Sequence, residues 1–91
     1  EGRRRYAALL ASAMRRVASD PHGTPTRGRP ELLPGARSFH IRHARLDDPQ
    51  GRVGNPTHTL YYRVVSPDLI EIIRVLHERM EPSRHIPHHP E

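Results

Sequence analysis

Ninety-one residues carrying a formal net charge of +5 make at most one small domain. With 34% apolar residues, ten prolines and only four aromatics, the core is small and the stability margin thin, so a partner that covers apolar surface is expected. The lack of cysteine excludes disulfides and thiolate metal sites, and no apolar run approaches the ~20 residues that cross a bilayer.

No secretory leader is visible, and the chain reads as soluble and cytoplasmic. It opens on Glu1 and runs directly into a helical pattern, so it reads as a fragment of a longer protein. All fifteen basic side chains are arginine, part of which reflects the bias of a GC-rich genome. A guanidinium-rich surface suits bidentate pairing with carboxylates or phosphates, which makes an acidic protein or a nucleic acid a fitting partner.

Gly2 to Asp20 has helical periodicity. Tyr6, Leu9, Leu10, Ala13 and Val17 form one stripe with Met14 beside it, and arginines occupy much of the remainder. Asp20-Pro21 ends the helix, because the residue before proline is pushed out of the α region. The stripe is read as packed on the chain's own sheet rather than as an exposed partner-binding face. His22 to Gly35 is rich in proline and glycine and reads as a connector with little regular structure.

Ala36 to Arg45 alternates as a half-buried strand, with Phe39 and Ile41 toward the core. Leu46 to Pro56 gathers Asp, Pro, Gly and Asn and reads as a long hairpin loop. His58 to Val65 is the next strand, with Leu60, Tyr62 and Val64 on one face. Ser66-Pro67-Asp68 makes a tight turn into Leu69 to Leu76, which is interrupted only by Glu71 and Arg74. A run apolar on both faces predicts a central strand covered on both sides, and the main stabilising element. Pro82 to Ile86 reads as one helical turn, and 87–91 as a loose tail.

The order of elements and several local blocks together resemble the RelE/ParE superfamily of type II toxin–antitoxin toxins, on its ParE side. The blocks are Arg5-Tyr6 with Leu9, Leu10 and Asp20-Pro21; Gly35-Ala36-Arg37-Ser38-Phe39; Leu60-Tyr61-Tyr62-Arg63-Val64; and Ile72-Ile73-Arg74-Val75-Leu76-His77-Glu78-Arg79-Met80 with Arg84-His85-Ile86. The resemblance covers about residues 3 to 86 and is most specific in the last block. It implies an α+β fold, with an N-terminal amphipathic helix packed on a small antiparallel sheet and a short C-terminal helical turn. Three strands are visible, and the strand and helix with which family members begin are expected before Glu1. The expected organisation is a single toxin domain over 1–86 followed by the tail.

The resemblance implies a toxin that inhibits DNA gyrase by binding, neutralised by a cognate acidic antitoxin that often carries its own DNA-binding domain, in a hetero-oligomer. Arg74, His77, Arg79, Met80 and Arg84 are then the target-contacting candidates. Arg37, Arg42, Arg63 and Tyr61 are the antitoxin-contacting candidates. Arg74 also has a plain reading, as a buried strand arginine paired with Glu71 or Glu78. The mRNA-cleaving branch is the alternative, with the ribosome as target. It relies on a late tyrosine, and none follows Tyr62. His77, Arg79 and His85 are the weak catalytic candidates, with no nucleophile beside them.

His85, His88 and His89 invite a metal, yet histidines among prolines at a chain end lack a fixed geometry, so no metal and no cofactor is expected. A non-enzymatic arginine-rich nucleic-acid module is a further alternative, with aromatics too few and too core-bound to stack on bases.

Overall fold

The computed structural model describes residues 2–47 and 54–86. Helix α1 spans Gly2–Ser19, followed by strands β1 (Arg27–Gly28), β2 (Ala36–His40), β3 (His58–Ser66) and β4 (Leu69–His77). Short 3-10 helices occupy Ile41–Asp47 and Pro82–Arg84. The strands form one antiparallel sheet in the order β1-β2-β3-β4. The class is α+β, as the sequence predicts, with four strands in place of three.

The apolar stripe of α1 makes the larger core. Leu9, Ala13 and Val17 are fully buried against Phe39, Ile41, Ala44, Leu60 and Tyr62, with Tyr6, Leu10 and Met14 flanking them. The helix stops where expected, and its end is tied down. The Pro21 carbonyl accepts hydrogen bonds from the Tyr62 hydroxyl and from Arg37 Nε, the latter at 3.0 Å. The opposite face of the sheet carries a second, smaller core of Leu32, Ala36, Tyr61, Leu76 and Ile86. Strand β3 serves both, because alternate side chains point to opposite faces.

Three expectations are corrected. The connector is not wholly irregular. Arg27 and Gly28 pair with Ser38 and Arg37, and the Arg29 amide extends the ladder to the Ala36 carbonyl at 2.7 Å. Prolines at 25 and 30 limit this strand to two residues, since proline offers no N–H to a ladder.

The strand predicted over Ala36 to Arg45 ends at His40. From Ile41 the chain winds into a 3-10 helix, which brings Ile41 and Ala44, three residues apart, into the core together. Arg16 donates to the His43 carbonyl at 3.4 Å and helps hold this turn beneath α1.

Among the described residues, Leu69 to Leu76 is not the central strand of the sheet. β4 is the sheet edge, with Leu69 58% and Ile72 37% exposed, and of its residues only Leu76 is fully covered. Its apolar run reflects packing on each face by a different and incomplete cover. The main stabilising strand is β3, where Leu60 and Tyr62 are fully buried.

The Pro67-Asp68 turn between β3 and β4 forms as expected, with Ser66 paired to Leu69. So does the turn at Pro82–Arg84. Part of the long loop (48–53) and the tail (87–91) lie outside the described residues. No helix among the described residues is long and apolar enough to cross a membrane.

Candidate functional site

The last residues of β4 and the turn that follows place the candidate side chains. Beyond His77 the chain reverses, with the Met80 amide donating to the His77 carbonyl at 2.9 Å. Glu81 then caps the short 3-10 helix, its carboxylate accepting from the Ser83 hydroxyl at 3.0 Å, and Pro82 supplies the preset φ at the first position. Ile86 is buried and anchors the segment on the second core. Arg79, Met80 and Arg84 are thereby held exposed on a short, pinned scaffold.

Arg74 is exposed too. Its register opposite Tyr61 puts it on the sheet face away from α1. The paired, buried alternative for Arg74 fails. Glu71 binds Arg63 at 2.7 Å and Glu78 binds His40 at 2.8 Å, so both proposed partners are engaged elsewhere.

His77 is set apart from these arginines. It pairs with His58 on the helix side of the sheet, their rings 5.5 Å apart and edge to face. Its Nδ1 accepts from the Arg79 amide at 3.1 Å, which commits that nitrogen to holding the turn. His85 is half-buried, and its amide donates to the Pro82 carbonyl at 3.0 Å.

The candidate antitoxin contacts do not share one surface. Arg37 is half-buried and turned inward, bonded to Pro21 and, at 2.8 Å, to the Thr26 hydroxyl. Tyr61 is 5% exposed in the second core, with the Arg29 guanidinium 5.9 Å above its ring. Arg42 is exposed on the 3-10 helix, while Arg63 reaches Glu71 on the far face of the sheet. Arg63 Nε is buried without a partner.

A polar cluster that sequence reasoning missed lies where β3 begins. The Tyr6 hydroxyl, from α1, is 2.5 Å from His58 Nδ1 and accepts from the Thr57 amide at 3.1 Å. With that amide donating, the hydroxyl proton is directed at Nδ1, which fixes the neutral imidazole. Burial, then the neighbouring His77 and His40, push the His58 pKa below its ordinary value. Tyr6 fits the apolar stripe so well that nothing in the periodicity marks its hydroxyl as a partner for a residue 52 positions away. Among the described residues no group of three or more His, Asp or Glu is placed to hold a metal ion. His88 and His89 lie outside them.

A family model described as the ParE toxin of the type II toxin–antitoxin system, parDE, matches residues 2–82. No curated protein and no solved structure matches the chain.

Proposed function

The chain belongs to the ParE toxin family of type II toxin–antitoxin systems, and from that premise we propose that it arrests growth by binding DNA gyrase and is neutralised by a cognate acidic antitoxin. The observation that carries this reading is the exposed, pinned segment after β4, where Arg79, Met80 and Arg84 stand free of the core; the family match covers the first two and ends at residue 82. Arg74 extends the surface along the strand, and His77 braces the turn from beneath. Guanidinium groups on a fixed turn, beside an exposed thioether, suit a protein contact better than bond-breaking chemistry.

Of the antitoxin-contacting candidates, Arg42 and Arg63 present guanidinium groups to an acidic segment. Arg37 and Tyr61 serve internal ties and packing. A hetero-oligomer of toxin and antitoxin is the proposed resting state in the cytoplasm.

Inducing the chain in a bacterial host, alone and together with its antitoxin, tests this proposal. Arrest relieved by the antitoxin is expected, and unaffected growth in both arms would sink the toxin reading. A gyrase supercoiling assay run beside a translation assay then divides two targets. Loss of supercoiling is expected here. Cleavage of translated mRNA supports the second reading, an endoribonuclease, which the Tyr6–His58 pair favours as a built proton-transfer element.

A further inference from the structure

The flank of α1 that faces β2 carries positive charge with little to balance it. The helix holds five arginines and no acidic residue. Residues 41–45 of the neighbouring 3-10 helix add Arg42 and Arg45, again with no acid. The sheet is different, since Arg29 and Arg63 each meet a carboxylate, of Glu31 and Glu71, at 2.7 Å. A groove of about 380 Å³ runs along this flank, lined by Ser12, Arg15, Arg16 and Ser19. Residues three, four and seven apart share a helix face, which brings two hydroxyls and two guanidinium groups together there.

The chain itself orients both guanidinium groups. Arg15 Nη2 donates to the hydroxyl of the buried Ser12 at 3.1 Å. Arg15 is exposed and has five N–H groups, so this tie aims the side chain without exhausting its donors. Arg16 donates to the His43 carbonyl at 3.4 Å and lies 5.9 Å over the Phe39 ring of β2. The His43 ring registers the local field. Burial first, then Arg42, His40 and Arg16, hold its pKa below the ordinary value, and among the described residues no carboxylate counters them. Arg42 therefore adds a cation from the second wall. The groove lies over β2, two strands removed from β4, so a strand added beside β4 leaves it intact. Leu10 and Met14 stand on the opposite flank of α1, where a further apolar element would pack.

We propose that this groove binds the phosphate backbone of double-stranded DNA, with Arg15, Arg16 and Arg42 contacting phosphates. A duplex offers a phosphate about every 1.7 Å of its axis, so cations on two walls all find partners without a matched sequence. Single strands are held by stacking on aromatic rings, and this chain engages all four of its own internally. Phe39, Tyr61 and Tyr62 are buried, and Tyr6 is bonded to His58. Arg42 is common to this site and to the proposed antitoxin contact. The assay therefore contains neither antitoxin nor gyrase, and its failure leaves the toxin reading untouched.

Fluorescence anisotropy of a short labelled duplex of arbitrary sequence, titrated with the full chain over a salt series, tests the site. Each phosphate contact adds about 0.9 to the slope of log K against log salt, so three contacts lower the association constant about fortyfold between roughly 50 and 200 mM salt. Arg15→Gln and Arg42→Gln are each expected to reduce that slope by about one, while Arg15→Lys and Arg42→Lys retain it. Arg27→Gln removes the same charge from the sheet face away from α1, where Arg27 pairs with Ser38 and Ser38 with Tyr61, and retains the slope too. Phenylglyoxal labelling of the folded parent decides the matter if a variant fails to fold, since DNA then shields Arg15 and Arg42 but not Arg27. No binding, a slope unchanged in both neutral variants, an equal loss from Arg27→Gln, equal labelling with and without DNA, or competition by polyglutamate as strong as by unlabelled duplex overturns the proposal.

Discussion

The Tyr6 hydroxyl and His58 Nδ1, 2.5 Å apart, tie the first turns of α1 to the first residue of β3. The same hydroxyl accepts the Thr57 amide at 3.1 Å, so one oxygen serves as donor to the ring and acceptor from the backbone. Tyr6→Phe keeps the ring's apolar packing and strands two partly buried polar groups. Leaving each unsatisfied costs about 1–3 kcal/mol. The expected outcome is a lower melting temperature with unchanged helix content by circular dichroism. An unchanged melting temperature shows that water replaces the hydroxyl at no cost.

Stability is expected to decline with acid. Burial is the first cause that holds the His58 and His43 pKa values below the ordinary imidazole value of 6.5, with like charges nearby adding to it. The folded state therefore binds fewer protons than the unfolded one. Nothing is lost above 6.5, and stability falls as pH drops through that value until the lowered folded pKa is passed. Glu78, held below 4.5 chiefly by its hydrogen bond to His40, adds stability above that value and loses it as pH falls further. Both trends have the same sign. Thermal melts across this range check it, and His58→Gln is expected to flatten the upper part of the profile.

The two aliphatic residues Leu60 and Leu69 separate the core from the edge. Leu60 is fully buried and Leu69 is 58% exposed. Leu60→Ala is expected to cost about 2–5 kcal/mol through lost burial and the cavity left behind. For a chain this small, that unfolds much of the population. Leu69→Ala is expected to stay within about 0.5 kcal/mol of the parent. Urea titration of the two variants measures both, and equal losses contradict the edge position of β4.

Gly35 adopts φ +79° at the entry to β2, and a Cβ there meets Arg63 Cγ at 3.3 Å. Gly35→Ala is expected to cost about 1–2 kcal/mol, because the left-handed conformation crowds any L side chain. Urea titration gives the loss, and a variant as stable as the parent shows that the turn has shifted to negative φ.

Much of the fold is legible in the order of residues, and the misses share a cause. The α1 stripe is plain because Leu9, Ala13 and Val17 repeat at helical spacing and face one core. The β3–β4 hairpin is plain because proline and aspartate mark its turn. Ile41 misleads, since two-residue alternation from Phe39 and three-residue spacing to Ala44 both make it apolar and buried. β4 misleads because an apolar run describes what a strand would bury, whereas its place in the sheet depends on neighbours distant in sequence.

Of the candidate site, the exposed arginines follow from composition and position. The Tyr6–His58 tie and the two hydrogen bonds to the Pro21 carbonyl do not, because they join residues 52, 41 and 16 positions apart.

Strand β3 places Leu60 and Tyr62 in one core and Tyr61 in the other. Neither hydrophobic cluster can loosen while this strand stays in register with the other. The two cores are thus expected to melt as a single cooperative unit, and a protease attacking the chain meets either the intact sheet or a fully opened polypeptide.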